Sequence, residues 1–266
     1  MRGNVLDINA DMGESFGNWN MGRDAELMPL ITTANMACGF HASDPVTMGE
    51  RVLEASQLGV AIGAHPGLPD LLGFGRRRMG ITAGEAHAYI LYQVGALRSF
   101  LDVNTTPLHH VKPHGALYWM INEDESIAMA VMQAVSELQE FPIFYWPAPI
   151  PNSVNRASER YGVEVVSEFY VDTRYDDDGQ LILQRVKTPA SIAMAVQLAR
   201  SFVLDGFIEA YSGKKLPLEA DSLCIHGDGP NCVELVTAIR ESLSKEGIVF
   251  AAAHSLQVAK SAGSST

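Results

Sequence analysis

Seven times along the chain a short apolar run ends by delivering an Asp, His, Lys or Glu into a turn that contains Gly or Pro. Five cases are clear: LDINADMGE (Leu6 to Glu14), MACGFHASD (Met36 to Asp44), VAIGAHPG (Val60 to Gly67), LHHVKPHG (Leu108 to Gly115) and LCIHGDGP (Leu223 to Pro230). FPIFYWPAP (Phe141 to Pro149) and VEVVSEFYVD (Val163 to Asp172) are weaker versions. Segments with helical periodicity lie between them. Alternating strand and helix build a parallel sheet with crossover helices, and in a β/α barrel the loops after the strands converge on one rim. Side chains from distant parts of the chain then share one pocket, so the repetition predicts an enzyme site.

The helical segments carry their own start and stop signals. Thr82-Ala83-Gly84-Glu85 has capping-box spacing, and Ile90, Val94, Leu97 and Leu101 follow on one face. Thr188-Pro189 predicts a second helix start, with Ile192, Ala195, Val196, Ala199 and Phe202 as its apolar stripe. Further helices are expected from Pro45 to Gly59 and from Pro230 to Gly247. An open doubly wound sheet would typically carry a glycine-rich phosphate turn after its first strand, and Asp11-Met12-Gly13-Glu14 is not one. The expected fold is therefore an irregular seven-stranded β/α barrel forming one domain over residues 1–260, with Ser261 to Thr266 as a disordered tail.

At 266 residues and 47% hydrophobic, the chain is long enough to bury one large core. A net charge of −12 argues against a nucleic-acid partner, which needs a basic face. Cys38, Cys224 and Cys232 are odd in number and show no CxxC spacing, so neither a disulfide framework nor a thiolate zinc site is indicated. The start lacks the apolar core of a signal peptide and no run is long enough to span a bilayer. A cytoplasmic protein without a membrane partner is expected.

Asp7, Asn9 and Asp11 alternate with Leu6, Ile8 and Ala10, so the period of two puts the three polar groups on one face. Helices cover the outside of a barrel strand, which leaves that face pointing inward, where a carboxylate needs a partner or a task. His41 and His65 end the second and third strands. With Asp11 they either share a catalytic site or hold a divalent metal, since imidazole plus carboxylate is ordinary ligand chemistry. His110, Lys112 and His114 come at two-residue steps, which suits an inward Lys112 facing an oxyanion or phosphate. Glu168, Asp172 and Arg174 follow the sixth strand, and His226 with Asp228 ends the seventh as a base with its orienting group or as a structural pair. Arg76-Arg77-Arg78 reads as a solvated turn or an anion contact, Asp176-Asp177-Asp178-Gly179 as a solvated turn, and Tyr145-Trp146 as core packing.

At these residues the chain resembles the LamB/YcsF family, through DINADMGESFGNWNMGRDAELMPLITTANMACGFHASDP, GVAIGAHPGLPDLLGFGRRRM, YQVGALRSF, HVKPHGALY and CIHGDGP. The family includes the A-type component of bacterial ATP-dependent 5-oxoprolinases. The resemblance implies a barrel related to the glycoside hydrolase and polysaccharide deacetylase folds. It also implies hydrolytic opening of a lactam, 5-oxoproline to glutamate, with ATP used through B- and C-type partner subunits; this chain carries no nucleotide motif. The family's usual HAGDP is His41-Ala42-Ser43-Asp44-Pro45 here, its EVFADR is Glu168-Phe169-Tyr170-Val171-Asp172-Thr173, and Trp146-Pro147-Ala148-Pro149 replaces its LAGS-like turn. These departures fall on expected pocket loops and admit another cyclic amide such as 2-pyrrolidinone.

On that reading Asp11 or His65 is the general base and Lys112 stabilises developing negative charge, while His41, His226 and Asp228 position substrate or move protons. Asn9, Glu14, Asp44, His114, Glu168 and Asp172 are the expected substrate contacts. Two rivals stand beside it. One is a deacetylase-like amide hydrolase with a metal on Asp11, His41 and His65, and the other is a non-catalytic component that binds a small anion.

Overall fold

The computed structural model describes residues 4–138, 142–182 and 188–253. The expected tail over 261–266, and the end of the 1–260 unit, lie outside those residues. Strands β1 (Val5–Met12), β2 (Thr33–Ala37), β3 (Ala61–His65), β4 (Leu108–Val111), β5 (Ile143–Pro147) and β6 (Glu164–Tyr170) pair in parallel in chain order. Two small antiparallel hairpins follow, β7 (Arg174–Tyr175) with β8 (Leu181–Ile182) and β9 (Phe207–Glu209) with β10 (Lys215–Pro217). Strand β11 (Ser222–Ile225) then pairs with both β6 and β1, which closes a seven-stranded parallel β/α barrel. A short β12 (Val249–Phe250) lies beside Val5 and Leu6 at the start of β1, where β11 does not reach.

The helices α1 (Asp24–Leu27), α2 (Pro45–Leu58), α3 (Ala83–Val103), α4 (Gly115–Glu123), α5 (Glu125–Leu138), α6 (Asn152–Tyr161), α7 (Ile192–Arg200) and α8 (Cys232–Lys245) connect the strands. Thr82 and Glu85 form the expected capping box of α3, and Ile90, Val94, Leu97 and Leu101 are fully buried. Each such aliphatic side chain stabilises the fold by roughly 1.5–3 kcal/mol. In α2 the Asp44 carboxylate caps the first turn, Pro45 follows, and Gly59 ends the helix at φ 70°. Helix α7 begins at Ile192, later than Thr188-Pro189 predicts, because the Ser191 hydroxyl accepts from Met194 N and sets the first turn. The two hairpins and β12 were not expected; strands of two or three residues are too short to show a period. Among the described residues no helix is long and apolar enough to cross a membrane.

The barrel is polar inside and apolar outside. Leu6, Ile8, Ala10 and Met12 point outward into the helical layer and are buried there. Asp7, Asn9 and Asp11 point inward, as the alternation predicts, and the register aligns them with Ser222, Thr33, Cys224 and Asn35 on the neighbouring strands. A polar interior requires every donor and acceptor to be matched, so the side chains inside are held in fixed positions.

Candidate active site

Three polar tiers rise through the barrel. In the lowest, Asp7 accepts from four hydroxyls: Thr32 and Thr33 on one oxygen, Tyr145 and Ser222 on the other. Burial still pushes this carboxyl above its ordinary value, against the pull of those hydroxyls. Tyr145, expected as core packing, is thus a partner of the buried acid and also lines the cavity above. In the middle tier Asn9 donates to Glu168 at 3.0 Å and to Ser222 at 2.7 Å, and its carbonyl accepts from Asn35 at 2.8 Å. His110 donates from Nε2 to the Asn35 carbonyl at 2.7 Å. Its ring fits because β3 has Gly63 opposite: a Cβ there would lie 2.0 Å from the imidazole.

The top tier opens into a cavity of about 740 Å³ lined by Asp11, His65, Lys112, His114, Glu168, Tyr170, Asp172 and His226 among others. The Lys112 ammonium lies 3.1 Å from Asp11, 3.2 Å from Glu168, 3.2 Å from the Asn9 carbonyl and 3.0 Å from the Cys224 sulfur. Burial works against its charge, but Asp11, Cys224 and Glu168 outweigh it and hold its pKa well above the ordinary lysine value. Burial likewise pushes Asp11 up, and His65, Lys112, His226 and His114 override it, so the Asp11 carboxyl lies well below the usual range. Asp11 is therefore an ionised carboxylate whose Oδ1 is taken by Asn35 and Lys112. Its Oδ2 stands 3.5 Å from His65 Nε2 on the cavity side. Burial pushes His65 down to about 3, which makes it a neutral imidazole near neutral pH.

Across the mouth His226 is clamped by Asp172, which accepts from the His226 backbone N at 2.9 Å and from Nδ1 at 3.0 Å. A carboxylate only accepts, so Nδ1 carries the proton and Nε2 is the basic nitrogen. Asp228 is not its orienting group: that carboxylate pairs with Arg76 at 3.1 Å and ties the loop after β3 to the loop after β11. Arg77 and Arg78 pair with Asp70 and Glu123, so all three arginines face carboxylates, and Arg76 alone of the three has a stacking ring, Phe74, beneath its guanidinium.

Asp11, His65, Lys112, His114, Glu168, Asp172 and His226 line one cavity, and Asn9 supports them from below. Glu14 and His41 sit just behind its wall, buried against His65 and His114. Asp44 is elsewhere, its oxygens taken by Val46 N, Thr47 N, Thr47 Oγ1 and Gly17 N at the start of α2. Sequence reading passed over Asn35 and Tyr170. Asn35 had a signal, since Thr33-Ala34-Asn35 repeats the alternation of β1; Tyr170, which donates to Glu168, had none.

A closed parallel barrel whose strand ends gather an ionised acid, a buried lysine and histidines around one cavity defines a class, and this chain belongs to the LamB/YcsF family, matched over residues 6–258. It is 46% identical over 246 residues to the A-type subunit of 5-oxoprolinase from Staphylococcus epidermidis, covering 91% of this chain and 96% of that one. It is 44% identical over 251 residues to the protein of the same name from Thermococcus onnurineus, covering 91% and 95%. The crystal structure of a "Lactam Utilization Protein" from Thermus thermophilus superposes with a TM-score of 0.86 at 40% identity, covering 93% of this chain and 99% of that one.

Proposed function

We propose that this chain opens the ring of a small lactam by hydrolysis, with 5-oxoproline to glutamate as the reaction. The observation that carries it is a carboxylate kept ionised inside the barrel by Lys112 while one of its oxygens faces a cavity large enough for such a ring. The names of the 40–46% identical relatives support the substrate class. Amide resonance protects a lactam carbonyl, and the tethered amine recloses the ring. Phosphorylation of the lactam oxygen removes the first obstacle, and B- and C-type partner subunits supply it from ATP in the cytoplasm.

Asp11 Oδ2 takes a proton from the attacking water as its oxygen adds to the activated carbon. His226, oriented by Asp172, takes up that proton on its basic Nε2 and passes it to the ring nitrogen as the C–N bond breaks, which returns Asp11 to its ionised form. The acyl phosphate left behind takes a second water and yields the free carboxylate and inorganic phosphate. Lys112 has its N–H groups directed at Asn9, Asp11, Glu168 and Cys224, so its work is to keep Asp11 charged. Arg76 on the cavity wall receives the carboxylate of 5-oxoproline, exchanging Asp228 for substrate.

Purified chain is assayed for glutamate release with ATP, alone and with B- and C-type partners. Turnover that needs all three components, and that Asp11→Asn abolishes while circular dichroism stays native, is the expected result. Normal turnover in Asp11→Asn removes Asp11 from the reaction. Arg76→Ala raises KM for 5-oxoproline about tenfold, the worth of one charge-assisted hydrogen bond, and leaves 2-pyrrolidinone, which has no carboxylate, unaffected. Equal effects on both rings would contradict that role.

A further inference from the structure

The loops after four consecutive strands each bring one nitrogen or oxygen donor to a single buried point: Glu14 after β1, His41 after β2, His65 at the end of β3 and His114 after β4. One ligand atom from each lies within 4.8 Å of all the others. His65 Nε2 to His114 Nδ1 is 3.0 Å, His41 Nε2 to Glu14 Oε1 is 3.5 Å and His114 Nδ1 to Glu14 Oε1 is 3.8 Å. A tetrahedral ion with bonds of about 2.1 Å has ligand-to-ligand edges of about 3.4 Å.

His65 Nδ1 lies 2.8 Å from the Lys112 carbonyl and His114 Nε2 lies 2.8 Å from the Phe74 carbonyl. A carbonyl only accepts, so each of those nitrogens carries the ring's N–H. In the neutral rings His65 Nε2 and His114 Nδ1 are then bare lone pairs facing each other at 3.0 Å. Two lone pairs repel at that distance, so a positive centre belongs between them, either a proton or a metal ion. His41 separates the two. It is fully buried and neither of its ring nitrogens has a hydrogen-bond partner. A proton shared by His65 and His114 leaves that cost in place, whereas a cation gives His41 Nε2 and Glu14 Oε1 a common partner.

We infer that Glu14, His41, His65 and His114 form a site for one divalent cation that clips four successive rim loops together. Three imidazoles with one carboxylate and no thiolate suit zinc or a similar borderline ion rather than magnesium or calcium. The backbone carbonyls of Lys112 and Phe74 provide the outer support that fixes each imidazole's tautomer. His41 lies flat on His114, with ring centroids 3.7 Å and planes 5° apart, so ligation tilts the His41 ring toward the shared point. Glu14 supplies the carboxylate of this set, whereas Asp11 has its Oδ1 engaged by Lys112 and Asn35. The site does not depend on which lactam, or whether any lactam, is the substrate.

The test uses the full chain, stripped with chelator, equilibrated with Zn²⁺ or Co²⁺ and desalted. Expected are about one metal ion per chain by elemental analysis, visible d–d absorption of the Co²⁺ form typical of four-coordination, and a higher Tm with metal than without. Glu14→Gln and His41→Ala should each weaken uptake by about tenfold or more. Folded wild-type chain that takes up no stoichiometric metal overturns the inference. So does uptake at wild-type affinity in both variants. Should a variant fail to fold, the wild-type stoichiometry and the Co²⁺ spectrum decide alone.

Discussion

Lys112 shows how much one side chain can depend on its neighbours. An ammonium inside a barrel is costly, and its three N–H bonds recover that cost only because Asn9, Asp11, Glu168 and Cys224 surround it. Removing it strands two carboxylates. Lys112→Met should therefore lower stability by about 3–5 kcal/mol, the cost of an uncompensated buried charge. Adding Asp11→Asn should restore part of that loss, because the pair acts as a unit. Urea unfolding of the two single variants and the double variant measures this; additive losses would mean that Lys112 and Asp11 do not act together. The alternation of β1 made the inward aim of Asp11 legible, but no property of the sequence said that Asn35 and Lys112 would share its Oδ1.

At the scale of the element, Asp44 holds α2 to the loop after β1 and stands apart from the residues that line the cavity. Its Oδ1 accepts from Val46 N and Thr47 N, and its Oδ2 from Gly17 N and Thr47 Oγ1. Those bonds to Thr47, Gly17 and Val46 hold its carboxyl below the ordinary 3.8. Asp44→Ala should cost about 1 kcal/mol, as lost N-caps do, with turnover little changed. A carboxyl with a depressed folded pKa stabilises the native state above the unfolded value, and that share fades as pH falls below 3.8 through the folded one. Melting curves of wild type and Asp44→Ala should differ at neutral pH and draw together in acid; a gap that widens in acid would contradict the cap. Asp44-Pro45 before an apolar stripe is an N-terminus signature in its own right, so this role was open to a sequence reading that weighed capping first. The short hairpins after β6 offered no such handle, because each strand holds too few residues for a period to show.

At the scale of the molecule, ring closure rests on the meeting of β1 with β11, and Asp7 is the residue that spans it. Its carboxylate gathers hydroxyls from Thr32, Thr33, Tyr145 and Ser222, which come from distant parts of the chain. Asp7→Ala should cost about 3 kcal/mol by leaving buried hydroxyls without an acceptor, and Asp7→Asn less, since the amide carbonyl still accepts. Thermal unfolding of both variants checks the order; an Ala variant as stable as wild type would show that the tier is dispensable.

What the sequence determined by itself was the alternating order of strand and helix, the barrel, the inward face of β1 and the family, since periodicity, capping and local motifs are written in neighbouring residues. What only the tertiary structure decided was partnership: that Asp172 and not Asp228 orients His226, that Arg76 takes Asp228, and that Glu14 joins His41, His65 and His114. The physical reason is closure of the ring. Register, strand tilt and loop path set which side chains come within 3 to 4 Å of each other across the barrel, and those are properties of the whole sheet that no local stretch of residues contains.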